Sequence, residues 1–93
     1  MLHLRDLSCF LLVYELRSFS RAADVLDTVQ SLVSVRIQRL EQFVGAPLFR
    51  RLHRGVVPTP KGELLYHYAK LVLRDVSELE SAVRLNDAPR AAA

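Results

Sequence analysis

The stretch that decides the fold runs from Ser18 to Glu41 and reads SFSRAADVLDTVQSLVSVRIQRLE. Ser18 or Ser20 is placed to cap a short helix over Arg21–Leu26, and Asp24 suits the positive end of its dipole. Ala22 and Ala23 are small enough for a second helix to cross at close range. Asp27-Thr28 then breaks the chain, with Thr28 the expected N-cap of a longer helix. From there Val29, Val33, Ile37, Leu40 and Val44 recur within about 80° of one another on a helical wheel, which marks the buried side. Ser31, Ser34, Val35 and Gln38 gather on the opposite side, with Gln30 at the exposed start and Arg36 and Arg39 flanking. A short helix, a tight turn and a longer helix with a polar outer face are the parts of a helix-turn-helix.

Upstream, Leu4, Leu7, Leu11 and Tyr14 fall at helical spacing, with Phe10 widening the stripe. An amphipathic helix is expected over Leu4–Glu15, with Cys9 as packing rather than chemistry. Downstream, Gly45 and Pro47 end the long helix. Leu48–Leu52 and Val56–Thr59 are expected strands, joined by a turn at His53-Arg54-Gly55. Thr59-Pro60 pairs a capping hydroxyl with proline at the first helical position. A last helix over 60–85 then carries a seam of Leu65, Tyr68, Val72, Val76, Leu79 and Val83, roughly 39 Å long at 1.5 Å per residue. Its far half has no other element to cover it, so the seam predicts a second copy of the helix. Residues 86–93 are expected to fray. The fold class is mainly α with a small β-hairpin wing: a winged helix-turn-helix over 1–59, followed by a long dimerisation helix.

Composition narrows the function. The 93 residues are 51% hydrophobic and 25% charged, enough for one small globular domain. One cysteine makes neither an internal disulfide nor a zinc site, so self-association is the expected support for so small a core. No apolar run approaches the roughly 18 residues that span a bilayer, and no signal peptide is recognisable, which suits a cytoplasmic protein. The net charge of +3 is unevenly spread: residues 36–61 carry +5 and the flanks −1 each. A basic middle is suited to a phosphate backbone. His3, His53 and His67 are too scattered for a metal site, and no nucleophilic arrangement is visible, so neither an enzyme nor a cofactor is expected.

The residues from Ser18 to Leu26 resemble the first half of the LysR-type regulator signature, and Gln30, Ser34, Ile37, Leu40 and Glu41 resemble the helix that follows it. Leu48-Phe49-Arg50-Arg51 and Thr59-Pro60-Lys61-Gly62 are similar to that family's wing and the opening of its linker helix. Val35, Arg36, Ser31 and Pro58 depart from the usual pattern. The resemblance implies a bacterial transcriptional regulator that binds double-stranded promoter DNA as a homodimer through paired linker helices and often assembles into tetramers. Members continue into an effector-binding domain that this sequence lacks; the chain is then a fragment or a natural truncation, and a small-molecule effector is expected only with that domain.

Base contacts are expected from Gln30, Ser31, Ser34 and Val35. Backbone or wing contacts are expected from Ser20, Arg36, Arg39, Arg50, Arg51, Arg54 and Thr59. Arg36 and Arg39 have surface ion pairs with Glu41 or Glu63 as an alternative, and Thr59 has its capping role. Two other readings fit the outline: a related winged-helix regulator such as a molybdate-responsive type, and a helical interaction module with a merely solvated basic middle.

Overall fold

The computed structural model describes residues 1–85, so the expected frayed tail lies outside the described residues. Four helices and one hairpin follow in the order α1 (Leu4–Leu16), α2 (Phe19–Val25), α3 (Gln30–Val44), β1 (Phe49–Arg51), β2 (Val56–Pro58) and α4 (Pro60–Leu85).

The turns are built by local chemistry. Arg17 ends α1 in the left-handed region at φ 56°. The Ser18 hydroxyl caps α2 by accepting from the Arg21 N–H at 3.1 Å. Asp27, also left-handed at φ 54°, turns the chain out of α2. Val29, rather than Thr28, then occupies the N-cap of α3, and no side chain bonds that helix start. This moves the expected boundary by one residue. It also removes Val29 from the buried row: its backbone is extended at φ −101° and the residue is 62% exposed.

The buried face of α1 also differs from the expected stripe. Asp6, Leu7, Cys9, Phe10 and Val13 are buried, Leu11 and Tyr14 are partly buried, and Leu4 is exposed. The reason is that α1 is flanked on two sides. Asp6 reaches across to α3, while Tyr14 stacks on Tyr66 of α4 with ring centres 3.7 Å apart and 7° from parallel. Tyr66 further donates its hydroxyl to Glu15 at 3.0 Å, which fastens α4 to the end of α1.

Phe10, Val13, Ala22, Val33, Ile37, Leu40 and Leu48 form the centre of a single core. Both paired alanines are buried, as a close crossing of α2 on α3 requires. Phe49 bridges to the wing, with its ring 5.3 Å from Phe10 and 6.1 Å from Phe19.

Strand β1 is one residue shorter than expected at each end, and β2 starts at Val56 as expected but ends one residue early, at Pro58. They pair antiparallel with Phe49 opposite Pro58, Arg50 opposite Val57 and Arg51 opposite Val56. Gly62, in the first turn of α4, lies so close to the Leu48 carbonyl that a Cβ there would collide with it. Beyond this anchor α4 runs on, and the molecule is 55 Å long but only 27 by 20 Å across.

Candidate nucleic-acid interface

The outer face of α3 is polar and open. Gln30, Ser31, Val35 and Gln38 are exposed and Ser34 is half-buried, while Val33, Ile37 and Leu40 on the inner face are buried. The 3.6-residue period separates the two faces, as the sequence pattern required.

The wing lies beside that face. Ser34 and Gln38 of α3, Phe19 of α2 and Arg51 of β1 line one recess of about 210 Å³. The Arg51 guanidinium lies 4.8 Å from the centre of the Phe19 ring, a cation–π contact that holds the side chain at the mouth of the recess. Arg50 and Arg54 are exposed elsewhere on the hairpin. The hairpin hangs on the turn after α1, because the Val56 N–H donates to the Arg17 carbonyl at 3.1 Å. Arg17 is a supporting residue that motif reading passes over.

Other expected contact residues have internal partners. The Thr59 hydroxyl donates to the Pro47 carbonyl at 2.7 Å and accepts from the Gly62 N–H at 3.1 Å, so it caps α4. Ser20 is exposed, with its hydroxyl 3.1 Å from that of Ser18.

Arg36 and Arg39 pair with neither Glu41 nor Glu63. Their partner is Asp6, with contacts of 3.4 Å from Arg36 and of 2.9 and 3.1 Å from Arg39. Glu41 is engaged elsewhere: its carboxylate accepts from the Leu48 N–H at 2.8 Å and braces the start of the hairpin. Asp6 is the residue that pattern reading missed. Its signal was an acid beside Leu7 on an apolar helix, which needs a buried cation partner.

The seam on α4 divides along its length. Leu65 packs partly against the core, and Val76 lines a groove of about 720 Å³ with Leu4, Leu26, Leu32 and Leu73. Tyr68, Val72, Leu79 and Val83 are exposed.

Among the described residues, no group of three or more histidine, cysteine, aspartate or glutamate side chains is placed to hold a metal ion. Cys9 is buried, and burial pushes its thiol up to about 11, with Asp6 adding to the rise and Arg36 opposing it. No helix of the described residues is long and apolar enough to cross a membrane.

The family model described as bacterial regulatory helix-turn-helix protein, lysR family, matches residues 4–63, from the first turn of α1 into the first turn of α4. The chain belongs to the lysR family. Among its relatives, the HTH-type transcriptional regulator CzcR of Bacillus subtilis is 42% identical over 85% of this chain. The HTH-type transcriptional regulator SoxR of an Arthrobacter species is 39% identical over 95% of it. The chain spans less than a third of these curated relatives, 27% of CzcR and 30% of SoxR. The DNA-binding domain of BenM, solved with benA site 1 DNA, superposes with a TM-score of 0.86 at 36% identity, covering 95% of this chain and 99% of that one. The mainly helical architecture, with its two-stranded wing and long last helix, is thus that of lysR-family DNA-binding domains.

Proposed function

We propose that this chain is the sequence-specific DNA-binding part of a bacterial transcriptional regulator and that it acts as a homodimer. The observation that carries this reading is the recess shared by Ser34, Gln38 and Arg51. It sets the polar face of α3 against the base of an arginine-bearing wing. In this arrangement α3 enters the major groove, Gln30, Ser31, Ser34 and Val35 meet base edges, and the hairpin follows the backbone. Arg50, Arg51 and Arg54 supply phosphate contacts, and Ser20, exposed in the first turn of α2, supplies another. Arg36 and Arg39 reach the backbone only at the expense of Asp6, and Thr59 only at the expense of its cap.

The dimer rests on α4. Tyr68, Val72, Leu79 and Val83 leave an apolar row in water, and burial of such surface is worth about 25 cal/mol per Å². A second α4 covers that row and brings the groove at Val76 into the same interface. Two α3 helices related by the dimer axis then read a partly palindromic site. Further assembly into tetramers and response to a small-molecule effector belong to the longer proteins of the family. A promoter-binding role places the chain in the cytoplasm, requires no cofactor and includes no catalysis.

The test is a titration of duplex DNA against the chain at several salt concentrations, followed by selection of preferred sites from a random pool. The reading expects affinity for any duplex that falls steeply with salt, and a selected site with two related halves. Arg54→Gln, which removes an exposed charge, is expected to weaken binding to all duplexes alike and to lower the salt slope by about one. A chain with no salt-dependent affinity for any duplex overturns the reading and leaves the helical interaction module.

A further inference from the structure

Asp6 is 1% exposed and lies on α1 next to Leu7 and three residues before Cys9, both buried. A carboxylate in such a place needs partners for its charge and its lone pairs. Both partners come from α3, the helix whose outer face carries the candidate base contacts. Arg39 meets the carboxylate side-on, its Nε donating to Oδ2 at 3.1 Å and its Nη2 to Oδ1 at 2.9 Å. Arg36 adds a longer contact from Nη1 to Oδ1 at 3.4 Å.

We infer that Asp6 is a positioning residue that fixes α3 on α1 and holds Arg36 and Arg39 back from the DNA backbone. The inference rests on the DNA-binding reading of α3. Three features carry it. Arg39 spends on Asp6 the paired Nε–Nη2 edge with which a guanidinium best grips a phosphate. Arg36 keeps only 19% of its side chain exposed, too little to extend to a phosphate while it faces Asp6. The carboxylate also cancels one of two positive charges on the flank of the reading helix.

The consequence is for specificity. Phosphate contacts strengthen binding to every sequence alike, so two unrestrained arginines beside the reading face raise non-specific affinity without improving discrimination. A carboxylate buried behind the helix removes that contribution. It also fixes the rotation of α3 about its own axis, which determines whether Gln30 and Ser34 meet base edges.

The salt dependence of DNA affinity, measured on a random-sequence duplex and on a selected site, tests the inference, because a purely structural brace does not move it. Arg36→Gln and Arg39→Gln are expected to leave the slope of log K against log salt within about 0.3 of the wild-type value. Asp6→Asn is expected to steepen it by about one to two and to narrow the ratio of specific to non-specific affinity. Adding Arg39→Gln to Asp6→Asn is expected to restore about one unit of slope. A slope shallower by about one in either single arginine variant overturns the inference, because that arginine then already sits on a phosphate. An unchanged slope in a folded Asp6→Asn chain overturns it as well. The arginine variants keep the test decisive even if Asp6→Asn does not fold. A wild-type chain with no salt-dependent affinity overturns the DNA-binding reading itself, and that outcome is seen before any variant is compared.

Discussion

The Val56 amide donates to the carbonyl of Arg17 at 3.1 Å, so β2 of the wing is tied to the turn between α1 and α2, while Glu41 of α3 braces the start of the hairpin. Gly55 makes this contact possible. Its φ is +73°, and a Cβ on it would run into the Arg17 carbonyl. Gly55→Ala therefore combines left-handed strain with a backbone clash, together costing about 1–3 kcal/mol. For a domain of this size each kcal/mol lowers the Tm by about 4–8 °C. Thermal unfolding followed by circular dichroism measures the loss, and a displaced wing is expected to weaken DNA binding at the same time. An unchanged Tm would show that the turn adapts without the contact.

Leu79 and Val83 are 61% and 68% exposed, so replacing them with lysine removes nothing from the core. Leu79→Lys with Val83→Lys is expected to give folded monomers by light scattering, since the proposed seam loses two apolar side chains from each copy and would have to bury four ammonium groups. Loss of the dimer should also flatten the dependence of DNA binding on half-site spacing. A double variant that keeps the dimer mass would move the interface away from this part of α4.

Local signals made most of this architecture legible. Gly45 and Pro47 end α3, and Thr59 and Pro60 start α4, through bonds and ring geometry that lie within a few residues. The two faces of α3 follow from spacing alone. Long-range pairs were not legible. Asp6 and Arg39 are 33 positions apart, so no window of sequence joins them, and both arginines read as surface charges until the partner is seen. Leu4 was misplaced for a related reason: spacing finds an apolar stripe on α1, but the contacts from α3 and α4 decide which side of it is covered. Val29 was misplaced because its helix start has no side-chain cap to mark it.

Cys9 links the core to alkaline pH. Its thiol has an ordinary value of 9.0 and is pushed up to about 11 in the fold, chiefly by burial. A group raised in this way contributes stability that is complete below pH 9 and is lost as pH rises through about 11. Cys9→Ala lacks this contribution, although it loses some packing at every pH. Its urea midpoint is therefore expected to fall less than that of the wild type between pH 9 and 11, with tyrosine and lysine titration common to both. Near neutral pH, native Cys9 should also resist alkylation until the chain is unfolded. Parallel midpoint curves would show that the thiol gains solvent before it ionises.

Base choice rests on few side chains, which makes Gln30 the most informative position. It opens α3 where no side chain caps the helix, and it is exposed with both ends of its amide free to pair. A glutamine amide matches the paired donor and acceptor of an adenine edge, and such a contact is worth about 1–3 kcal/mol of discrimination. Ser31 and Ser34 offer single hydroxyls, and Val35 offers only apolar contact, suited to a thymine methyl. With so short a list of donors, DNA shape has to supply part of the selectivity. Gln30→Ala is therefore expected to relax preference at one symmetric position in each half-site, by about 10-fold or more. Non-specific affinity and its salt slope should stay near the wild-type values, because no phosphate contact is lost. A selected-site profile of the variant measures both halves at once. If every position kept its wild-type preference, readout would have to lie with the other residues of α3 or with the wing arginines.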